Sequence, residues 1–116
     1  MKELVYISHP SSGKIENTKH IEEIVNALYK DDFIYENYCI VSPVHNFGFM
    51  YETTDYVRGL QYCLDLMEHC DLVMLFGDYE HSKGCTKELQ TCIETDTEYY
   101  KIGNDIERAK EILHTR

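Results

Sequence analysis

The sequence predicts an α/β domain of three layers, built on a mostly parallel sheet of four to five strands. Two observations carry that expectation. Four short apolar runs alternate with segments of helical periodicity, and the run Asp71-Leu72-Val73-Met74-Leu75-Phe76-Gly77 is apolar almost throughout. A strand covered by helices on both faces requires such a run, which makes it the best candidate for the middle of the sheet.

Each element has its own signal. Leu4-Val5-Tyr6-Ile7 is an apolar run that ends in the turn-rich stretch Ser8-His9-Pro10-Ser11-Ser12-Gly13. Such a stretch stops a strand and leads into a helix, here one with Ile21, Ile24, Val25, Leu28 and Tyr29 at helical spacing. Tyr38 to Ser42 repeats the strand signal and is closed by Pro43, after which Val44 to Phe49 reads as an aromatic-rich loop. Thr53 or Thr54 can cap the next helix, whose apolar face is Val57, Leu60, Leu64 and Met67, with Asp65 outside it. After the central strand comes the loop Gly77 to His81, then a helix from about Ser82 that carries Cys85, Leu89, Cys92 and Ile93 inward. Thr97 to Ile102 is a weaker strand whose charged Glu98 and Lys101 place it near an edge. Asn104 with Glu107 resembles a capping box opening a last helix, with Ile106, Ala109 and Leu113 on one side.

Composition narrows the function classes. The 116 residues suit one domain, 1–116, and the 43% hydrophobic and 28% charged fractions are ordinary for a soluble protein. No apolar run approaches the roughly 20 residues of a membrane span and no secretory pattern opens the chain, so a cytoplasmic protein without membrane contact is expected. Eleven basic against 21 acidic residues leave a net charge of -10, which repels nucleic-acid polymers. A small anionic ligand is still compatible, because helix amino termini bind anions locally. The five cysteines lack Cys-x-x-Cys spacing. Cys63 and Cys70, like Cys85 and Cys92, are seven apart on expected helices, about 10.5 Å and too far for a disulfide. They read as reduced, buried, small apolar residues, with no metal site and no cofactor expected.

In a Rossmann-like or flavodoxin-like sheet, ligands bind beyond the carboxyl ends of the strands. Those ends are Ser8-His9-Pro10, Pro43 to Phe49, and Gly77 to Gly84. Glu88, in the early turns of a helix that Gly84 opens, can meet a ligand there; its plainer reading is a solvated helix glutamate. Asp65 reads as a polar-face aspartate, Asp71 as a structural residue of the turn before its strand, and Tyr6 as a core tyrosine whose hydroxyl needs a partner. His9 and His45 fall on the same expected edge and suit a polar pocket or donation to a ligand. Phe47 or Phe49 packs, or stacks on a flat aromatic ligand. Ser8, Ser11, Ser12 and Lys14 form a hydroxyl- and amide-rich loop before a helix, suited to a phosphate or a sugar, without the order of a Walker motif. The expected binding set is Ser8, His9, Pro10, Gly13, His45, Phe47, Gly77, Asp78, Ser82 and Gly84.

Tyr6-Ile7-Ser8-His9-Pro10-Ser11-Ser12-Gly13, the segment Asp65 to Asp71 with its apolar strand, and Ser82-x-Gly84-x-x-x-Glu88 together resemble the nucleoside 2-deoxyribosyltransferase-like superfamily. That superfamily includes a small uncharacterised phage and bacterial branch and the deoxynucleoside 5'-monophosphate N-glycosidases. The resemblance runs from about Leu4 to Ile102. It implies that Glu88 is a nucleophile attacking the anomeric carbon of a deoxyribose, that Asp65 assists protonation of the departing base, and that Tyr6 orients the nucleophile or sugar. It also implies that the loop from Ser8 to Gly13, with Ser82 and Gly84, cradles the ligand. His9 and Pro10 stand where many members have small residues, and the chain is shorter than the characterised transferases. A homodimer or larger homo-oligomer is implied as well, in which Phe47, Phe49 or Tyr51 serves a partner's pocket. The expected function is N-glycosidic cleavage or base exchange on a deoxynucleoside or its 5'-monophosphate. The alternatives are a non-catalytic nucleotide-binding module that sequesters or senses its ligand, and a protein-interaction domain.

Overall fold

The computed structural model describes residues 1–50 and 56–116. Four strands, β1 (Glu3–Ser8), β2 (Tyr38–Val41), β3 (Leu72–Phe76) and β4 (Tyr99–Gly103), pair in parallel in the order β2-β1-β3-β4. The helices are α1 (Ile15–Tyr29), α2 (Asp32–Asn37), α3 (Pro43–Phe47), α4 (Tyr56–Glu68), α5 (Lys83–Glu94) and α6 (Ile106–Thr115), with a 3-10 turn at Tyr79–His81. This is the expected α/β class, with β1 and β3 in the middle and the charged β4 at an edge.

Alternation along the middle strands makes the layers. Val5, Ile7, Leu72, Met74 and Phe76 join Ile21, Ile24 and Leu28 of α1, Ile34 of α2, and Ala109 and Leu113 of α6 in one core. The intervening Tyr6 and Val73 face the other way, onto Cys63 and Met67 of α4 and Cys92 of α5. Asp71 ties the two middle strands at their starts: its carboxylate accepts from the Leu4 N–H at 2.7 Å, and its own N–H donates to the Leu4 carbonyl at 2.9 Å. The structural reading of Asp71 therefore holds. Among the described residues no helix is long and apolar enough to cross a membrane.

Several local expectations are corrected. The stretch after Pro43 begins as a helix: Ser42 accepts from the His45 N–H and proline supplies a preset first-turn φ. α2 has no counterpart in the sequence reading, and Asp31 caps it by accepting from the Ile34 N–H at 3.2 Å. α4 buries Gly59, Cys63 and Met67, and leaves Val57 71% exposed, so its inner face is rotated from the expected one. Thr53, Thr54 and Tyr51 lie outside the described residues. On α5 the inward stripe is Cys85, Glu88 and Cys92, and Ile93 is turned out at 60% exposure. The cap of α6 is Asp105, one residue later than expected, accepting from the Arg108 N–H. All five cysteines are free; Cys63, Cys85 and Cys92 are buried as expected, whereas Cys39 is exposed.

Gly77 ends β3 with φ +64, and a Cβ there would stand 2.9 Å from His9 Nε2. Left-handed backbone and close approach both call for glycine. Gly77→Ala is expected to lower unfolding free energy by about 1–3 kcal/mol, read as a lower urea midpoint at unchanged slope.

Candidate functional site

Glu88 sits on α5, whose start is fixed by the Ser82 hydroxyl accepting from the Cys85 N–H at 3.2 Å. Its side chain points toward the sheet and is 5% exposed. Tyr6 and Ser8, two apart on β1 and therefore on one face, are both wholly buried beneath it. The Tyr6 hydroxyl donates to Glu88 Oε2, and the Ser8 hydroxyl donates to Oε1 at 2.9 Å. Burial pushes the Glu88 carboxyl up to about 7, and the hydrogen bonds from Tyr6 and Ser8 pull the other way. A buried acid with both oxygens held is not the solvated glutamate of the plainer reading.

Above Glu88 opens a cleft of about 560 Å³, walled by His9 and Ser11 to Gly13 after β1, by Pro43 and Val44, by one side of α4, and by His81 to Cys85. Ser12 and Gly13, at φ 49 and 67, turn the first of these walls into α1. Tyr56, Leu60 and Cys63 form the α4 side. Burial raises the Cys85 thiol to about 11, so it stays protonated near neutral pH and is a poor nucleophile.

His9 is 6% exposed and has both ring nitrogens committed. The Pro10 carbonyl can only accept, so His9 Nδ1–H donates to it at 2.7 Å, and His9 Nε2 accepts from His20 Nδ1–H at 2.7 Å. Burial lowers its pKa, and the ring is a wall of the cleft.

Of the residues expected at the site, the structure brings Glu88, His9, Gly13, Ser82 and Gly84 to the cleft. Tyr6 and Ser8 lie under Glu88, and Ser8 is spent on that carboxylate rather than exposed to a ligand. Pro10 is beside the cleft, holding His9 through its carbonyl. The rest fall elsewhere. Asp65 is exposed on α4 and accepts from Gln61 Nε2 at 2.9 Å. Two residues beyond the inward Cys63, it is carried about 200° around the helix. His45 lies in a separate depression, bonded to Ser42 at 2.7 Å and Glu22 at 2.9 Å. Phe47 stacks on Tyr62 with ring centroids 5.7 Å apart and packs against the Tyr6 and Cys63 cluster. Gly77 supports His9, and Asp78 is exposed, its carboxylate accepting from His81 Nδ1–H at 2.7 Å. Cleft-lining residues outside the expected set include Tyr56, Cys63, His81 and Cys85. The spacing of Tyr56, Leu60 and Cys63 was the signal that could have found the α4 wall. Among the described residues no group of three or more His, Cys, Asp or Glu side chains could hold a metal ion.

A family model described as "Domain of unknown function (DUF4406)" matches residues 3–99. No curated protein matches the chain. Among solved structures, one titled "2-desoxiribosyltransferase from Leishmania mexicana" superposes with a TM-score of 0.62 at 19% identity, covering 89% of this chain and 65% of that one. The two share a fold, and this chain spans 65% of its neighbour's length.

The raised pKa of Glu88 has a stability consequence. The folded state holds the proton up to about 7, against an ordinary value of 4.5. Stability from this group is greatest below the unfolded value and falls as pH climbs through the folded one, by about 3 kcal/mol in all. Glu88→Gln removes that titration. The variant is expected to gain on the parent between pH 5 and pH 8, measured as the difference in unfolding free energy; a pH-independent difference would contradict the burial argument.

Proposed function

The chain belongs to the family described as "Domain of unknown function (DUF4406)", and from the site it carries we propose that it cleaves or exchanges the N-glycosidic bond of a deoxynucleoside or its 5'-monophosphate, with Glu88 as nucleophile. The observation that carries this reading is the Glu88 carboxylate on the cleft floor, held by Tyr6 and Ser8 beyond the ends of the middle strands. The shared fold with a protein titled a 2-desoxiribosyltransferase supports it.

The chemistry follows from the geometry. Two donors below the carboxylate restrict its rotation and leave its remaining lone pairs for the anomeric carbon of a sugar seated above. As C1'–N breaks, the ring gains oxocarbenium character, which a deoxyribose tolerates because it lacks an electron-withdrawing 2'-hydroxyl. Glu88 must be ionised to attack, so activity rises with pH up to about 7, the value to which burial lifts its carboxyl.

A specific observation favours a second reading. Asp65 lies outside the cleft, and Glu88 is the one carboxylate lining it among the described residues. A pocket without a second acid suits a module that binds a nucleotide without turning it over.

One assay separates the two. Purified protein mixed with deoxynucleosides and their monophosphates is expected to release free base, with Glu88→Ala at least ~10³-fold slower and Tyr6→Phe slower by ~10- to 100-fold, mainly in kcat. Ligand retained through gel filtration with no base released would establish the binding module instead.

A further inference from the structure

Glycosyl transfer to Glu88 leaves a base departing with an electron pair, and a neutral base needs a proton to leave readily. Asp65 is too far round α4 to give it. His9 cannot, since Nδ1–H is held by the Pro10 carbonyl and Nε2 is turned to His20. The buried Cys85 thiol and the Tyr56 hydroxyl, both raised above their ordinary values, are weak acids. One further protic ring lines the cleft. His81 closes the 3-10 turn directly before Ser82, so the segment that launches the Glu88 helix also sets this imidazole at the mouth. Its Nδ1 is bonded to Asp78 Oδ1 at 2.7 Å, and nothing among the described residues bonds Nε2.

We propose that His81 donates the proton to the departing base through Nε2–H, with Asp78 as the positioning residue behind it; the assignment rests on the glycosyl-transfer reading above. A carboxylate on one imidazole nitrogen fixes the ring and leaves the opposite N–H for a ligand. Asp78, and to a smaller extent the charge of Glu80, raise the ring's pKa above its ordinary 6.5, which keeps it protonated further into the neutral range. Lys83 of α5 also lines the cleft, and Lys87 lies with His81 and Lys83 on a neighbouring depression.

The step balances. The C1'–N bond breaks with its electron pair going to the base, a Glu88 oxygen bonds to C1', and His81 Nε2–H passes to a base nitrogen. Water, or an acceptor base, then attacks C1' and gives its proton to neutral His81, releasing Glu88 as carboxylate.

The test uses leaving groups. A 7-methylated purine is already cationic in its deoxynucleoside and departs without being protonated. Parent, His81→Gln, Asp78→Asn and Glu88→Ala are compared on 2'-deoxyadenosine and 2'-deoxyguanosine, as nucleosides and 5'-monophosphates, and on 7-methyl-2'-deoxyguanosine, after subtraction of spontaneous release. His81 is exposed, and matching thermal melts check that the variants fold. His81→Gln is expected to slow release of the unmodified base by ~10²-fold or more and to stay within about 3-fold of the parent on the 7-methyl substrate. Asp78→Asn is expected to lower kcat rather than raise KM, and to move the alkaline limb of the kcat/KM profile to lower pH. Equal slowing of both substrate types by His81→Gln, or slowing of neither, overturns the role of His81 and leaves the nucleophile reading standing. Undiminished release by Glu88→Ala, or no release by the parent from any substrate, overturns the reading beneath it.

Discussion

The pair of hydrogen bonds from Tyr6 and Ser8 to Glu88 is the constraint on which the rest of this site depends. An acid placed between a helix and a sheet loses its hydration, a cost of several kcal/mol when ionised unless donors replace the water. β1 supplies two from one face, and both Glu88 oxygens are met. That arrangement decides the phase of α5: the stripe Cys85, Glu88 and Cys92 turns inward, and Ile93 is turned out to solvent. The packing under the cleft is therefore organised by a polar contact, with the apolar residues accommodating it.

The fold was legible because its signals are redundant. The alternation of Val5, Tyr6 and Ile7 and the continuous run from Leu72 to Phe76 reflect the two-sided burial of parallel strands, and no competing element fits those stretches. α3 was not legible, since aromatic residues after Pro43 look like a loop until Ser42 is recognised as a cap. The short α2 similarly depends on a cap, Asp31. Boundaries of this kind are decided by one or two hydrogen bonds, which composition does not display.

The site was legible in part for the same reason. His9 follows a strand and Ser82 opens the helix that carries Glu88, positions that topology alone brings to one edge. Tyr6, inside β1, was read as a core tyrosine whose hydroxyl needs a partner, and that partner is Glu88. Asp65 and Cys63 show where that reasoning stops. Both lie on α4: the apolar spacing read Asp65 as a polar-face aspartate, which is where the structure has it, and only the resemblance gave it a role at the ligand, whereas Cys63, buried with Gly59 and Met67, lines the cleft. Phase kept the acid off the inner face, and the rotation that buries Gly59 and exposes Val57 is what brings a thiol to the cleft. Asp78 was read as a ligand contact, and in the structure its carboxylate accepts from the ring of His81.

The strand order has a consequence of a different kind. From β1 the chain leaves toward α1, on one side of the sheet, whereas from β3 it leaves toward α5, on the other. Adjacent strands whose exits diverge leave a gap that no side chain had to create and none can readily close. The hollow above Glu88 is thus a property of the path of the backbone, while its lining belongs to loops and helix ends. Such a division lets the walls change from one relative to another, altering what is held there, without threatening the architecture that does the holding.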